Sequence, residues 1–176
     1  MSEPVLFALD QNYPPPLVES FRDYLSSAEL VPVNQIDPRM AKLADWQLLC
    51  ALRKDARPWS GLITCDGDFL RVPKTVSAVI ETKLAVVITE AAGHDPLIAS
   101  GLLLINLETV CKGLVRDTPQ LWRLSHAKKP VLDPWDEFRK IAKHQNRHTR
   151  DLYDQHKVTS EELAADHLAS VNLNDR

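Results

Sequence analysis

A chain of 176 residues has room for one domain with a sizeable core and a small appendage, and too little for two full domains. With 44% hydrophobic residues, 26% charged residues and a formal charge of -3, the composition is that of an ordinary globular protein, and bulk charge implies no nucleic-acid partner. Cys50, Cys65 and Cys111 are widely spaced among apolar residues, which excludes a disulfide framework or a zinc site and predicts reduced thiols in a cytoplasmic protein.

The N-terminus, Met1-Ser2-Glu3-Pro4, lacks the basic region and apolar core of a secretory signal. The longest apolar run, Leu102 to Ile105, falls far short of a membrane span, so no membrane is expected. Val5 to Leu9 is a continuous apolar run, as in a strand covered on both faces in a parallel sheet, and it ends at Asp10. Gln11, Asn12 and Tyr13 read as a short loop. Pro14, Pro15 and Pro16 then open a helix, proline being tolerated in a first turn, and Leu17, Val18, Phe21, Tyr24 and Leu25 recur at helical spacing. Leu30 to Val33 reads as a short edge strand, because Pro32 is awkward in a central one. From Asp45 to Arg53 the pattern is helical, with Leu48, Leu49 and Leu52 on the side of Asp45. Asp45 is thus either the start of the inward face or an N-cap, a position aspartate favours.

A loop from Asp55 leads into a strand from Leu62 to Cys65, followed by Asp66-Gly67-Asp68. Two readings fit: a buried strand delivering acids to a rim where ligands bind, or the tight hairpin turn that Asp-Gly between apolar runs signals. A helix is expected after Pro73. Leu84 to Ile88 is the clearest buried strand; Glu90 and His94 beyond it either approach a site at that strand end or belong to an ordinary loop. Asp95-Pro96 caps a strongly apolar helix through Leu97, Ile98, Leu102, Ile105 and Val110, and Leu121 to Leu124 is the last strand. Alternating strands and helices predict an α/β fold with a parallel sheet, which binds ligands at the C-terminal ends of its strands.

The C-terminal part, residues 131 to 176, changes character and is expected as a helical extension to a domain spanning residues 1 to 130. Asp133-Pro134-Trp135-Asp136-Glu137 is a well-specified helix start. On a helical wheel Arg139, Lys140, Lys143, Arg147 and Arg150 fall within a sector of roughly 100°, opposite Phe138, Ile141, Ala142 and Leu152. That basic face is either simply solvated or a contact for phosphate or an acidic partner. Thr159 and Glu162 form a capping box that opens a last short helix.

Asp10, Asp66 and Asp68 come from two strand ends, and Asp45 from a helix start that can face them. Crowded carboxylates repel one another and need a compensating cation; hard oxygen ligands favour Mg²⁺ or Mn²⁺. A metal there would position and deprotonate a water for in-line attack on a phosphodiester.

Leu9-Asp10-Gln11-Asn12, Asp45-Trp46-Gln47-Leu48-Leu49 and above all Ile63-Thr64-Cys65-Asp66-Gly67-Asp68-Phe69 resemble, in order and spacing, the acidic motifs of PIN-like nuclease domains, closest to the compact branch that includes VapC-type toxins. The likeness covers roughly residues 5 to 125. It implies a three-layer α/β/α fold, a metal-dependent ribonuclease with Asp10, Asp45, Asp66 and Asp68 as ligands of Mg²⁺ or Mn²⁺, and Thr64 supporting the site. It also implies RNA as substrate, an antitoxin protein as partner and a homodimer. Cys65 and Gly67 stand where such sequences often carry polar or basic residues; Asn12 and the basic residues Arg139, Lys143 and Arg147 are the candidates for the RNA contacts. Arg139 and His144 also match the loose spacing of an all-helical toxin ribonuclease family, which the upstream strands contradict. Two further readings compete with the nuclease: a non-catalytic binding module acting through the basic helix or a protein partner, and a phosphotransfer domain using Asp10, for which no strand-end lysine is evident.

Overall fold

The computed structural model describes residues 5–11, 13, 18–19, 21, 24–89, 95–125 and 131–173. Its centre is a five-stranded, entirely parallel sheet in the order β2-β1-β3-β4-β5. The strands are β1 (Val5–Leu9), β2 (Ala28–Pro32), β3 (Gly61–Thr64), β4 (Ala85–Ile88) and β5 (Gln120–Arg123). β2 is an edge strand that ends on Pro32, where the missing N–H costs the ladder nothing. The parallel pairing of β3 with β4 rules out a hairpin at Asp66-Gly67. Gly61 is required there: a Cβ at this position would lie 2.0 Å from the carbonyl oxygen of Ala85.

The described helices are α1 (Val33–Ile36), α2 (Asp45–Lys54), α3 (Pro73–Thr82), α4 (Pro96–Gly113), α5 (Pro134–His144), α6 (Thr149–His156) and α7 (Ser160–Ala164). Val18, Glu19, Phe21 and Tyr24 are also helical, with Val18 and Phe21 buried as their spacing predicts. Strand alternation sorts these elements into two layers. Ala8, Leu62, Val86 and Leu121 face a core built with Leu49 and Leu52 of α2, Val76 and Val79 of α3, Phe138 of α5 and Leu152 of α6. Phe7, Leu9, Ile63, Val87 and Trp122 face the other, built with Val18, Phe21 and the inner side of α4. The result is a three-layer α/β/α fold.

The crossovers explain why the second layer is thin. The chain steps from β1 to β2 over the α4 face, then returns across β1 to β3 and on to β4 over the α2–α3 face. These three connections share one hand. From β4 to β5 the chain moves the same way as from β3 to β4, yet α4 lies on the opposite face, which gives this crossover the opposite and rare hand. α4 is therefore placed beside the short helical stretch around Phe21, away from α2, α3, α5 and α6. α4 has the length and composition to cross a membrane. Ala99, Leu103 and Leu107, fully buried against the sheet, mark it as a core helix.

One long basic helix does not form. α5 ends at His144, Gln145 and Asn146 make a turn with Asn146 at φ 53, and a separate helix, α6, begins at Thr149. The cap at Asp133 is as expected, its carboxylate accepting from the Trp135 N–H at 2.9 Å. α5 and α6 pack on α3 through a cluster of Trp135, Phe138 and Tyr153, with ring centroids 4.5 Å apart for Trp135 and Tyr153. Fully buried Ser77 of α3 fixes the end of α6, donating to the carbonyl of His156 and accepting from the N–H of Val158. The capping box at Thr159 forms, and Glu162 within it pairs with Lys74 at 2.6 Å. Residues 131 to 173 thus share the core of the α2–α3 layer. Phe138→Ala is expected to cost about 3–5 kcal/mol and to lower a single cooperative unfolding transition, read by urea denaturation followed by circular dichroism. A separate minor transition, with the main one unmoved, would show the extension to be an independent unit.

Candidate active site

In a parallel sheet of this order the chain reverses direction at β1, and a crevice opens between the C-terminal ends of β1 and β3. Asp10 follows β1 and Asp66 follows β3, so both acids stand at that crevice. Side-chain alternation does the rest. Ala8 faces the α2–α3 layer, so Asp10 does too; Leu62 faces it, and so does Thr64. α2 starts at this edge with Asp45.

Thr64 ties the strand ends together. Its buried hydroxyl donates to Asp10 Oδ2 at 2.9 Å and accepts the N–H of Asp66 at 3.0 Å. The backbone reinforces this register, the N–H of Asp10 donating to the carbonyl of Ile63 at 2.9 Å. Asp10 Oδ1 accepts from the N–H of Gln11 at 2.7 Å. Asp66 caps a 3₁₀ turn, Gly67–Arg71, by accepting from the N–H of Asp68 at 2.8 Å. That turn, with Phe69 and Leu70 buried beneath it, is what a chain with Asp-Gly at a strand end makes here in place of a hairpin.

Asp45 is not the N-cap of α2. Ala44 holds that position, with Gln47 Oε1 accepting its N–H at 3.2 Å, and Asp45 is the first helical residue. Its half-buried carboxyl is pushed from 3.8 up to about 6, first by burial and then by the charges of Asp10 and Asp66. Among the described residues, no cation contributes to that field. Asp10, Asp45 and Asp66 are therefore the acids the fold brings into mutual range. Asp68 is set apart from them: it is exposed and paired with Arg71 at 2.9 Å.

Sequence reasoning passed over Tyr13 and Thr89. Thr89, directly after β4, is fully buried; its N–H donates to the carbonyl of Thr64 at 3.0 Å, and its hydroxyl shares a 2.9 Å hydrogen bond with the hydroxyl of buried Tyr13. Burial raises the pKa of Tyr13 and keeps it neutral. The available signal was positional: a hydroxyl residue ends the apolar run of β4 as Thr64 ends that of β3. Burial, followed by the charge of Asp10, likewise raises the Cys65 thiol, and no disulfide involves Cys50, Cys65 or Cys111.

Asn12, Glu90 and His94 lie outside the described residues. The basic candidates are dispersed by the break after α5. Arg139 pairs with Asp136 and Lys140 with Glu137 on α5, Arg147 lies in the interhelical turn, and Arg150 of α6 is 3.5 Å from Asp154. Lys143 and Arg147 are exposed. None of these cations enters the field at Asp45.

Among the described residues, no three His, Cys, Asp or Glu side chains form a group already arranged to hold a metal ion. Donor type and charge nevertheless suit a hard divalent cation: the acids offer anionic oxygens, and like charge holds such groups apart until a counter-charge draws them in. Fold and site together define a doubly wound α/β protein with an acidic crevice at its β1/β3 switch. Comparison of the chain with family models, curated proteins and solved structures found no match.

Because the pKa of Asp45 is raised in the folded chain, the stability its protonated form supplies is present below about pH 4 and is lost as pH rises through about 6. Asp45→Asn is accordingly expected to stabilise the cation-free chain at pH 7.5 by about 1 kcal/mol after allowance for solvent screening, a rise in Tm of about 2–4 °C. The gain should vanish at pH 4, as calorimetric melting across that range will show.

Proposed function

We propose that the chain is a divalent-cation-dependent endoribonuclease, with Asp10, Asp45 and Asp66 as the ligands of Mg²⁺ or Mn²⁺ at the β1/β3 switch. The observation that carries this reading is the Thr64 hydroxyl, which holds the ends of β1 and β3 so that the two strand-end acids confront Asp45 across one crevice. Bound there, the cation would supply a deprotonated water and neutralise charge on the phosphorus oxygens. The chain's own part is positional. Thr64 and the Gln11 N–H occupy one oxygen each of Asp10 and fix its plane, and the 3₁₀ turn does the same for Asp66. Asp68, exposed and paired with Arg71, is left out of this ligand set. RNA as the substrate and an antitoxin as partner rest on the resemblance of the three acidic motifs to PIN-like nucleases, and a cytoplasmic setting rests on the free thiols of Cys50, Cys65 and Cys111.

A non-catalytic binding module is the second reading, favoured by the absence, among the described residues, of a ready-made metal group. Calorimetric titration with Mn²⁺, alongside cleavage of single-stranded RNA, separates the two. Saturable binding is expected for the wild type and none for the Asp10→Asn, Asp66→Asn double variant, with a fall in cleavage of about 100-fold or more for Asp10→Asn alone. Asp68→Asn is expected to cost less than Asp10→Asn. Wild-type cleavage by the double variant refutes the proposal, and no binding at millimolar Mn²⁺ together with no cleavage would favour the binding module.

A further inference from the structure

At the N-terminal edge of the sheet, the end opposite the acidic crevice, a cavity of about 380 Å³ opens between the start of β1, the end of α2, the turn from α3 to β4 and the loops that lead into β3 and β5. That volume is within the roughly 300–1000 Å³ of small-molecule sites. Leu6, Leu52, Trp59, Leu84 and Leu114 give the cavity an apolar wall, and Arg53, Arg57, Lys83 and Arg116 also line it. Among the described residues Asp117 is the one acid in the lining. Four cations against one carboxylate is a local excess of positive charge in a chain whose formal charge is -3.

The cations are grouped about an anion that does not satisfy them. The Asp117 carboxylate lies 3.6 Å from a guanidinium nitrogen of Arg53 and 3.9 Å from one of Arg116, too long for hydrogen bonds, and all three side chains stay about half-exposed or more. Helix C-termini meet at this edge and favour cations, which accounts for Arg53 in the last turn of α2. It does not account for Arg57 and Arg116, which stand in loops beyond the helix ends. Nor does it account for the backbone. Lys83 ends α3 at φ 57, where glycine is the usual left-handed residue, and Asp117 is held at φ 55. These are two of the three left-handed non-glycine residues among those described, and such strain collects at ligand clamps. Arg57 is fixed from two sides: its Nε donates to Asp55 at 2.9 Å, and its guanidinium sits 4.7 Å from the centroid of the Trp59 ring. A guanidinium so held is ready to stack on a flat ring.

We propose that this cavity binds a phosphate monoester with an aromatic body, of the nucleoside monophosphate class. Such a phosphate carries close to two charges and three acceptor oxygens, enough to share among Arg53, Lys83 and Arg116, whereas a single carboxylate would leave most of the positive charge unanswered. The phosphate takes the place of the Asp117 carboxylate between the two guanidiniums, and the apolar wall and Arg57 take the ring. No divalent cation is needed, so the site stands or falls apart from the acidic crevice.

The test is calorimetric titration of the full chain with adenosine monophosphate in the presence of EDTA, with inorganic phosphate and adenosine as the two halves of that probe. Saturable binding with a Kd below about 1 mM is expected for the monophosphate, and binding at least about 10-fold weaker for either half. Arg53→Gln and Lys83→Gly should each weaken it about 10-fold or more, and Lys83→Gly, which relieves the left-handed lysine, should melt no lower than the wild type. Asp117→Asn should act in the opposite direction and tighten binding several-fold, because asparagine keeps the left-handed turn and removes the competing carboxylate. Cations that serve only the helix ends and Asp117 give a different pattern. No binding at about 10 mM monophosphate, or binding unchanged by Arg53→Gln and Lys83→Gly, overturns the proposal. So does phosphate or adenosine alone binding as tightly as the monophosphate, or binding weakened by Asp117→Asn.

Discussion

The Thr64 hydroxyl is the contact on which the candidate site depends. A parallel sheet brings the ends of β1 and β3 side by side but leaves the residues beyond them free to diverge. One buried hydroxyl, donating to Asp10 and accepting from the backbone of Asp66, removes that freedom for both. Its own position is secured from beneath: the carbonyl of Thr64 accepts from Thr89, which is joined to Tyr13 in the loop after β1. Three strand ends are thus linked by buried hydroxyl groups that bear no charge at neutral pH. Such groups fix carboxylates without themselves adding charge.

The two faces of the sheet are used differently. On one side α2, α3, α5 and α6 share a core, and the tail beyond α7 closes over it: His167 packs edge-on against Trp46 with centroids 5.2 Å apart, and Arg39 donates to the carbonyl of Leu168. This side presents Asp45 and supports it from below. On the other side, among the described residues, α4 is accompanied by the helical residues around Phe21, because its crossover has the opposite hand. Burying the inner side of α4 satisfies the sheet and leaves the outer side apolar. The acidic crevice and the apolar face are therefore on separate parts of the molecule.

The strands, the parallel sheet and the caps at Asp95 and Asp133 were legible in the sequence because each rests on a local signal: an unbroken apolar run, or an aspartate followed by proline. The choice at Asp66-Gly67 was not local. A hairpin and a strand end share that dipeptide, and only the partner of β3 decides between them. The break in the basic face between Arg139 and Arg150 escapes the sequence pattern for a related reason. A run of polar residues keeps helical periodicity across a turn when nothing in composition marks the break, and Gln145-Asn146 carries no glycine or proline. Asn146 takes the left-handed conformation instead, which asparagine tolerates better than most residues. At Asp45 the inward-face reading holds and the N-cap reading does not: the residue opens the helix on its buried side, and Ala44 takes the cap and leaves the carboxylate uncommitted to capping.

That last detail bears on how the chain balances stability against chemistry. An aspartate at a first helical position gains from the helix dipole, and the same residue here loses through burial and through the neighbouring charges of Asp10 and Asp66. The loss shows in its carboxyl, raised to about 6, first by burial and then by the charges of Asp10 and Asp66. A fold selected for stability alone would place an amide or an alanine at this position. The fully buried Leu49 and Leu52, the Lys74 ammonium over the Trp46 ring and the edge-on contact of Trp46 with His167 hold α2 in place nonetheless, so the helix does not depend on its first carboxylate. The strain is confined to one ionisable group at the rim of the crevice, where a divalent cation would turn the same repulsion into binding energy.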